Sequence, residues 1–509
     1  MLKAVIEIGT TSVRMAIAQR AQKGGAFTRL ETLDIPVSLG HGTFVEGVLH
    51  RETIESCVGA VRRFQTVLRE YGVASEDLRA VATSAVREAR NRHTLLDRIR
   101  IATGLRVEIL NEVEVSRFTY QTIHPLLKTA PFTRHDNTIV LEVGGGSTDL
   151  LLLRKGRVLA SLVDPLGSLR VHHALHPSYH VRNGAEMLEE HIAPFAGQIE
   201  RNLPLKGGVS LLLMGAEPRL VCSLSGLVPD ERGVTPLPPD VLKNFIAERI
   251  RIPLPELAEV GGFTETQAET LLPALAIHLS LARRFGAKKL HVLNTSLRDG
   301  ILAEMFAGRQ WEKEFRTQTA HSARALARRY LPNLRHAENT AAHALAILRH
   351  LQKETVFHDR DKLLLQVAAP LHKIGLFIST RDSAQHTAYL IRNSEIFGLD
   401  SAETALVAHV AHCHTLEHDE FPPPPPPLLP DDRTRVSKLA AILSVASACA
   451  GNNEPVPADA ITVSSSNSVL YITRDSGEDP AFIQRRLGYD SDLFETVFGF
   501  AVRFKPAGE

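Results

Sequence analysis

The chain has 509 residues, 44% of them hydrophobic and 23% charged, with a formal net charge of +1. That length calls for several domains with ordinary globular cores, and the near-neutral balance gives no field suited to nucleic acid or a membrane surface. Cys57, Cys222, Cys413 and Cys449 are too scattered for a metal motif and read as reduced thiols. No apolar run is long enough to span a bilayer, and the N-terminus leads straight into a strand, so the expected location is the cytoplasm.

Residues 1–128 read as mixed α/β. Ala4 to Ile8 forms a first strand, a Gly9-Thr10-Thr11-Ser12 turn follows, and Val13 to Ala18 leaves as a second strand. Ile54, Val58, Val61 and Leu68 keep helical spacing over residues 51–71, and Gly72 suits a left-handed stop. A strand at 80–83 enters the segment Ser84 to Asn91, and a strand at 107–110 meets a helix beginning near Glu112.

Residues 129–309 read as a second α/β unit opening on Thr138-Ile139-Val140 and the run Leu141-Glu142-Val143-Gly144-Gly145-Gly146-Ser147-Thr148-Asp149. The strand returns through Leu150 to Leu153; later strands are expected at 210–215, ending at Gly215, and at 289–293. From about residue 310 the pattern is helical and His-rich. Prolines 422–427 predict a polyproline II spacer. Beyond Pro455 short strands are expected at 461–463 and 469–472, a helix at 480–487 and a last strand at 497–504.

The run from Leu141 to Asp149 carries most of the chemistry. Glycines at 144, 145 and 146 let backbone N–H groups approach an anion without Cβ interference, and Ser147 and Thr148 add hydroxyl donors. Glu142 and Asp149 offer hard oxygen ligands for a Mg²⁺ that would bridge phosphate oxygens. A plain tight turn is the alternative for one such loop. The second loop, Glu7-Ile8-Gly9-Thr10-Thr11-Ser12, repeats the design and points to two similar lobes that hold phosphates between them. No Gly-Lys-Ser/Thr follows either glycine turn, which separates both from a P-loop.

In this order the segments resemble the exopolyphosphatase and guanosine pentaphosphate phosphohydrolase family, part of the sugar kinase/actin/heat-shock ATPase superclass. The resemblance covers essentially the whole chain and rests on segments 83–91, 114–117, 165–170 and 297–302 beside the glycine hairpins. It implies an α/β fold: two actin-like (ribonuclease H-like) lobes at 1–128 and 129–309, an all-α HD-like domain at 310–455 and a small α/β module at 456–509. It further implies hydrolysis of the terminal phosphoanhydride of inorganic polyphosphate, guanosine pentaphosphate or both, assisted by Mg²⁺, in a homodimer.

Carried onto this chain, the resemblance makes Glu114 the general base, with Glu112 a second acid in the same turn. Arg87 and Arg298 match phosphate-contacting arginines, a task suited to a planar, permanently charged fork. The backbone at Gly9, Thr10, Thr11, Ser12, Gly144, Gly145, Gly146, Ser147 and Gly215 would hold phosphates, and Glu7, Glu142 and Asp149 would hold the metal. Several positions depart from the family pattern: Glu7 and Glu142 stand for Asp, Asp149 for Glu, Thr11 for Asn, and Gln267 for an arginine. The exchanged acids keep open a second function, a polyphosphate- or alarmone-binding sensor; a sugar kinase or actin-like ATPase shares the fold but lacks the segments at 114 and 298.

In the helical half, His336 and His372 match the first two ligand positions of an HD-type metal site, but Lys373 replaces the Asp and Ser447 stands where a later Asp is expected. A lysine ammonium repels a divalent cation, so loss of that metal site is expected. His386, His409, His412 and His414 read as a solvated or interface cluster rather than ligands, and the basic run at 324–329 as a solvated helix face or the side of a polyphosphate path.

Overall fold

The computed structural model describes residues 2–20, 27–129, 137–175, 183–205, 207–261, 263–307, 310–414, 430–451, 456–457, 460–474 and 478–506. The proline run lies outside them. The chain divides into two compact units, Met1–Glu314 and Phe315–Glu509.

The first unit contains two related sheets. Strands β1 (Leu2–Ile8), β2 (Ser12–Arg20), β3 (Phe27–Pro36), β4 (Leu78–Ala82) and β5 (Val107–Ile109) pair in the order β3-β2-β1-β4-β5. Strands β6 (Asn137–Val143), β7 (Thr148–Arg154), β8 (Arg157–Asp164), β9 (Val209–Met214), β10 (Val234–Leu237) and β11 (Leu290–Leu293) pair as β10-β11-β9-β6-β7-β8. Read from β8, the second sheet repeats the first: an antiparallel meander of three strands, then two parallel strands, with β10 added at the edge. The glycine turns occupy the same place in each repeat, between the first two strands.

Both faces of the first sheet are covered, which explains why the middle of β1, Ala4-Val5-Ile6, is apolar on both faces instead of alternating. Ala4, Ile6 and Ile8 face a core shared with Ile54, Val61, Phe64 and Leu68 of the helix Arg51–Glu70. Val5 points the opposite way, as strand geometry requires, into a core with Phe118, Ile301 and Leu302. Those last residues belong to the helices Glu112–Thr129 and Leu297–Ala307. The latter follows the second sheet in the chain yet packs on the first. Gly300 allows this approach, because a Cβ there would collide with the backbone carbonyl of Phe118.

In the second unit the helices Arg335–Leu351, Asp361–Leu371, Ser401–Cys413 and Pro430–Cys449 enclose an apolar core. The sheet β12 (Thr462–Ser466), β13 (Val469–Arg474) and β14 (Ala501–Pro506) contributes Leu470, Ile472, Val502 and Phe504 to that same core. Here one expectation is corrected. Residues 497 and 498, read as the start of the last strand, end the helix Asp492–Phe498 instead. Phe494 and Phe498 are one helical turn apart with ring centroids at 4.8 Å, and Gly499 stops the helix at φ 73°. Among the described residues no helix is long and apolar enough to cross a membrane.

Gly300→Ala tests the close approach of the two helices. Helix propensity alone favours Ala by about 1 kcal/mol, but the backbone clash should reverse the sign and lower unfolding free energy by about 1–3 kcal/mol. Denaturant titration of the full chain reads the difference.

Candidate functional site

The two glycine hairpins meet at a cleft of about 110 Å³ within the first unit. The hairpins share one hydrogen-bond pattern: Gly9 N–H donates to Ser12 O at 3.0 Å, and Gly144 N–H to Ser147 O at 2.8 Å. They touch directly, since a Cβ on Gly145 would overlap the methyl of Thr10. Gly9, Thr10, Thr11, Gly144, Gly145, Ser147 and Gly215 all line the cleft; Ser12 and Gly146 are not among its lining residues, and Gly146 packs against the Phe44 ring.

The segment Gly167–Arg170 sets how the triple glycine faces the cleft. Gly144 O accepts from Ser168 N–H at 2.9 Å and from Ser168 Oγ at 3.1 Å; Gly145 O accepts from Leu169 N–H at 3.0 Å; Gly146 O accepts from Arg170 Nε at 2.8 Å. In a planar trans peptide the next N–H points opposite to the carbonyl. With three carbonyls held on one side, the N–H groups of Gly145, Gly146 and Ser147 turn to the other, and among the described residues none of the three is hydrogen-bonded. Three successive free amides form an anion-binding nest. The backing segment lies so close that a Cβ on Gly167 would strike Gly145 O.

The register of each hairpin places its charged residues as cross-strand pairs: Glu142 opposite Asp149, and Glu7 opposite Arg14. Burial, then the Asp149 and Glu7 carboxylates, push Glu142 up to about 7, with Arg219 and Arg14 pulling the other way. Burial pushes Asp149 up to about 7 as well, against the pull of Arg87. Glu7 is engaged in a buried ion pair with Arg298. Arg298 therefore neutralises an acid rather than facing the cleft, and Glu142 and Asp149 remain as the crowded pair on the floor.

A divalent cation fits that donor set. Two hard oxygen donors that carry protons for want of a partner would release them to a cation. Mg²⁺ characteristically takes one or two carboxylates together with phosphates and water. A dedicated all-protein cage is a different matter: among the described residues no three acid, His or Cys side chains converge as one.

Glu112 and Arg87 line the cleft wall, 3.6 Å apart, while Arg87 also donates to Leu110 O at 3.0 Å. Glu114 is not part of that wall. Its Oε2 accepts from Asn111 N–H at 2.9 Å and its own N–H donates to Asn111 Oδ1 at 2.9 Å, a reciprocal cap on the helix Glu112–Thr129. Gln267 is likewise used in a capping box, with Thr264, on the helix Glu265–Arg284.

The cleft also contains residues that sequence reading passed over: Arg14, Ser84, Ser168 and Glu217. Burial works against the Arg14 charge, but Glu7, Asp34 and Glu217 outweigh it and raise its pKa. Glu217 opens the helix Ala216–Leu224, where burial raises its pKa and the backbone N–H groups of residues 217 and 216 hold it back. Gly215, at φ 119°, makes the turn into that helix. Arg14 could have been found by comparing the loops, since it lies seven residues after Glu7 as Asp149 does after Glu142.

The second unit holds a separate histidine cluster. Lys373 Nζ lies 2.7 Å from His336 Nε2, and Ser447 Oγ bridges toward His372 Nε2 at 3.2 Å and His336 Nε2 at 3.4 Å. His414 joins them, its ring 5.0 Å from that of His372. Burial, followed by Lys373, lowers His336 to about 4, and burial lowers His414 to about 4, so both rings are neutral. An ammonium donating to a neutral imidazole occupies the lone pair that a metal would need.

Two repeated sheets meeting at paired glycine hairpins define an actin-like fold. The Ppx/GppA phosphatase family model matches residues 17–308, and that for Ppx/GppA phosphatase, domain III, matches residues 317–467. The chain belongs to the Ppx/GppA phosphatase family. Solved structures with the same fold include a family member from Aquifex aeolicus, 22% identical, with a TM-score of 0.50 over 61% of this chain and 99% of that one. An exopolyphosphatase from Cytophaga hutchinsonii is 18% identical, with a TM-score of 0.53 over 60% of this chain and 98% of that one.

Proton linkage gives a test of the floor. The folded protein without metal holds protons on Glu142 and Asp149 that the unfolded chain releases above its ordinary carboxylate range. Their contribution to stability is therefore complete at pH 4 and below and disappears as pH rises through about 7. In metal-free protein the melting temperature of Glu142→Gln relative to wild type should climb between pH 5 and pH 8. Mg²⁺ should stabilise wild type more at pH 8 than at pH 5, read by differential scanning calorimetry.

Proposed function

We propose that this phosphatase is an exopolyphosphatase, removing the terminal phosphate of inorganic polyphosphate, guanosine pentaphosphate or both. The observation that carries the reading is the pair of free amides at Gly145 and Ser147, residues that line the same cleft as the acids Glu142 and Asp149. A terminal phosphoanhydride offers the oxygens such a nest binds, and its hydrolysis is mainly a matter of positioning and charge stabilisation.

In this reading the amides of both hairpins and the N-terminal turn after Gly215 seat the terminal phosphate, and Arg87 neutralises charge on its equatorial oxygens. Glu142 and Asp149 would hold Mg²⁺, which when bound supplies charge neutralisation on the phosphate oxygens. Glu114 is the proposed base. Its Oε2 is fixed by the Asn111 cap, which leaves Oε1 to take a proton from the attacking water. Glu112 is the competitor, being already on the cleft wall.

Two contacts favour a second reading, a receptor that binds the same anions with little turnover: the Glu114 carboxylate is committed to a cap and Arg298 to Glu7. Phosphate release from long-chain polyphosphate and from guanosine pentaphosphate, with Mg²⁺ present, separates the two. Glu114→Gln is a clean probe because glutamine also serves at that position of a capping box. It should lower kcat by about 10²–10⁴-fold with unchanged thermal stability, and Glu112→Gln should cost about tenfold or less. The reverse ranking moves the base to Glu112; binding without release in the wild type establishes the receptor.

A further inference from the structure

Arg170 lies outside the cleft lining, yet it makes three specific contacts. Its Nε donates to Gly146 O at 2.8 Å, a terminal nitrogen pairs with Glu88, and its guanidinium carbon lies 4.3 Å from the centroid of the Phe44 ring. Gly146 belongs to the triple-glycine turn of the second sheet. Glu88 and Phe44 belong to the first, on the helices Ser84–Glu88 and Leu39–Glu46. Arg87, which lines the cleft, is the neighbour of Glu88.

We propose that Arg170 is a positioning residue for phosphate transfer: it orients the Gly146–Ser147 peptide and ties that turn to the helix carrying Arg87. Two features of the geometry support this role. The Gly144 and Gly145 carbonyls are held by backbone and Ser168 groups, whereas among the described residues the Gly146 carbonyl is held by a side chain alone. Glycine has the widest backbone freedom of any residue, so without Arg170 this peptide can rotate and take the Ser147 N–H out of the nest. Second, the planar fork binds three partners at once through a hydrogen bond, an ion pair and a stacked face. A lysine point charge meets at most part of that set. Closure of the two hairpins on a phosphate therefore depends on a group that never touches it.

The inference rests on the function proposed above, and its test separates the two. Full-length wild type, Arg170→Ala and Arg170→Lys are compared for kinetics on both substrates, for hydrogen exchange of the bonded amides of Gly144, Ser168 and Leu169, and for binding of inorganic phosphate by calorimetry. Arg170→Ala should lower kcat by about 10²-fold while KM, set largely by the remote phosphates, stays within about threefold. The three amides should exchange faster and phosphate should bind more weakly. Arg170→Lys should show the same direction with a smaller effect. Wild-type exchange and phosphate binding in Arg170→Ala, or a rise in KM alone, overturns the proposal. If wild type hydrolyses neither substrate, the functional reading fails by itself, and exchange with phosphate binding still decides the role of Arg170. If Arg170→Ala does not fold, Arg170→Lys decides by the same readouts, and wild-type values there overturn it.

Discussion

The site depends on one constraint: the three carbonyls of the Gly144–Gly146 turn are held on one side by the segment 167–170. A planar peptide cannot turn its carbonyl one way without turning the next N–H the other. Fixing the carbonyls therefore sets the direction of the free amides, and the glycines serve twice over. They open the nest to a ligand, and they let Thr10, Phe44 and Gly167 pack against the turn without colliding with a Cβ. The hairpins are thus as much packing surfaces as binding loops.

Around this nest the protein gathers more acid than it neutralises. Glu7 finds Arg298 and Arg14 finds Asp34, at 3.0 Å, while Glu142 and Asp149 face each other with no comparable partner among the described residues. Buried, crowded carboxylates whose pKa values rise to about 7 carry their charge at a cost in the absence of a cation. Glu142 and Asp149 sit as direct cross-strand partners.

The histidine cluster of the second unit takes the other course. Burial strips the charge from His336, His372 and His414, Lys373 supplies the positive group that meets the His336 lone pair, and Ser447 reaches that of His372. An ammonium donates along one bond and holds the ring in place; a divalent cation would need several ligands to converge.

Much of the chain could be read from sequence because local rules were obeyed. The helical spacing of Ile54, Val61 and Leu68 with Gly72 behind it, and the strand–glycine–strand runs at 7–14 and 142–149, each follow from their own periodicity. The family itself followed from the order of such segments. What sequence could not supply was the partner of each charged group. Arg298 meets Glu7 across nearly the whole first unit, and Arg170 meets Glu88 and Phe44 from another lobe. The helix Leu297–Ala307 returns to the first sheet because Gly300 leaves room beside Phe118. Residue type and spacing determine which side chains are available for chemistry. Which of them face the cleft, and which are consumed by a cap or an ion pair, is decided by long-range packing, because electrostatic pairing depends on distance in space and not along the chain.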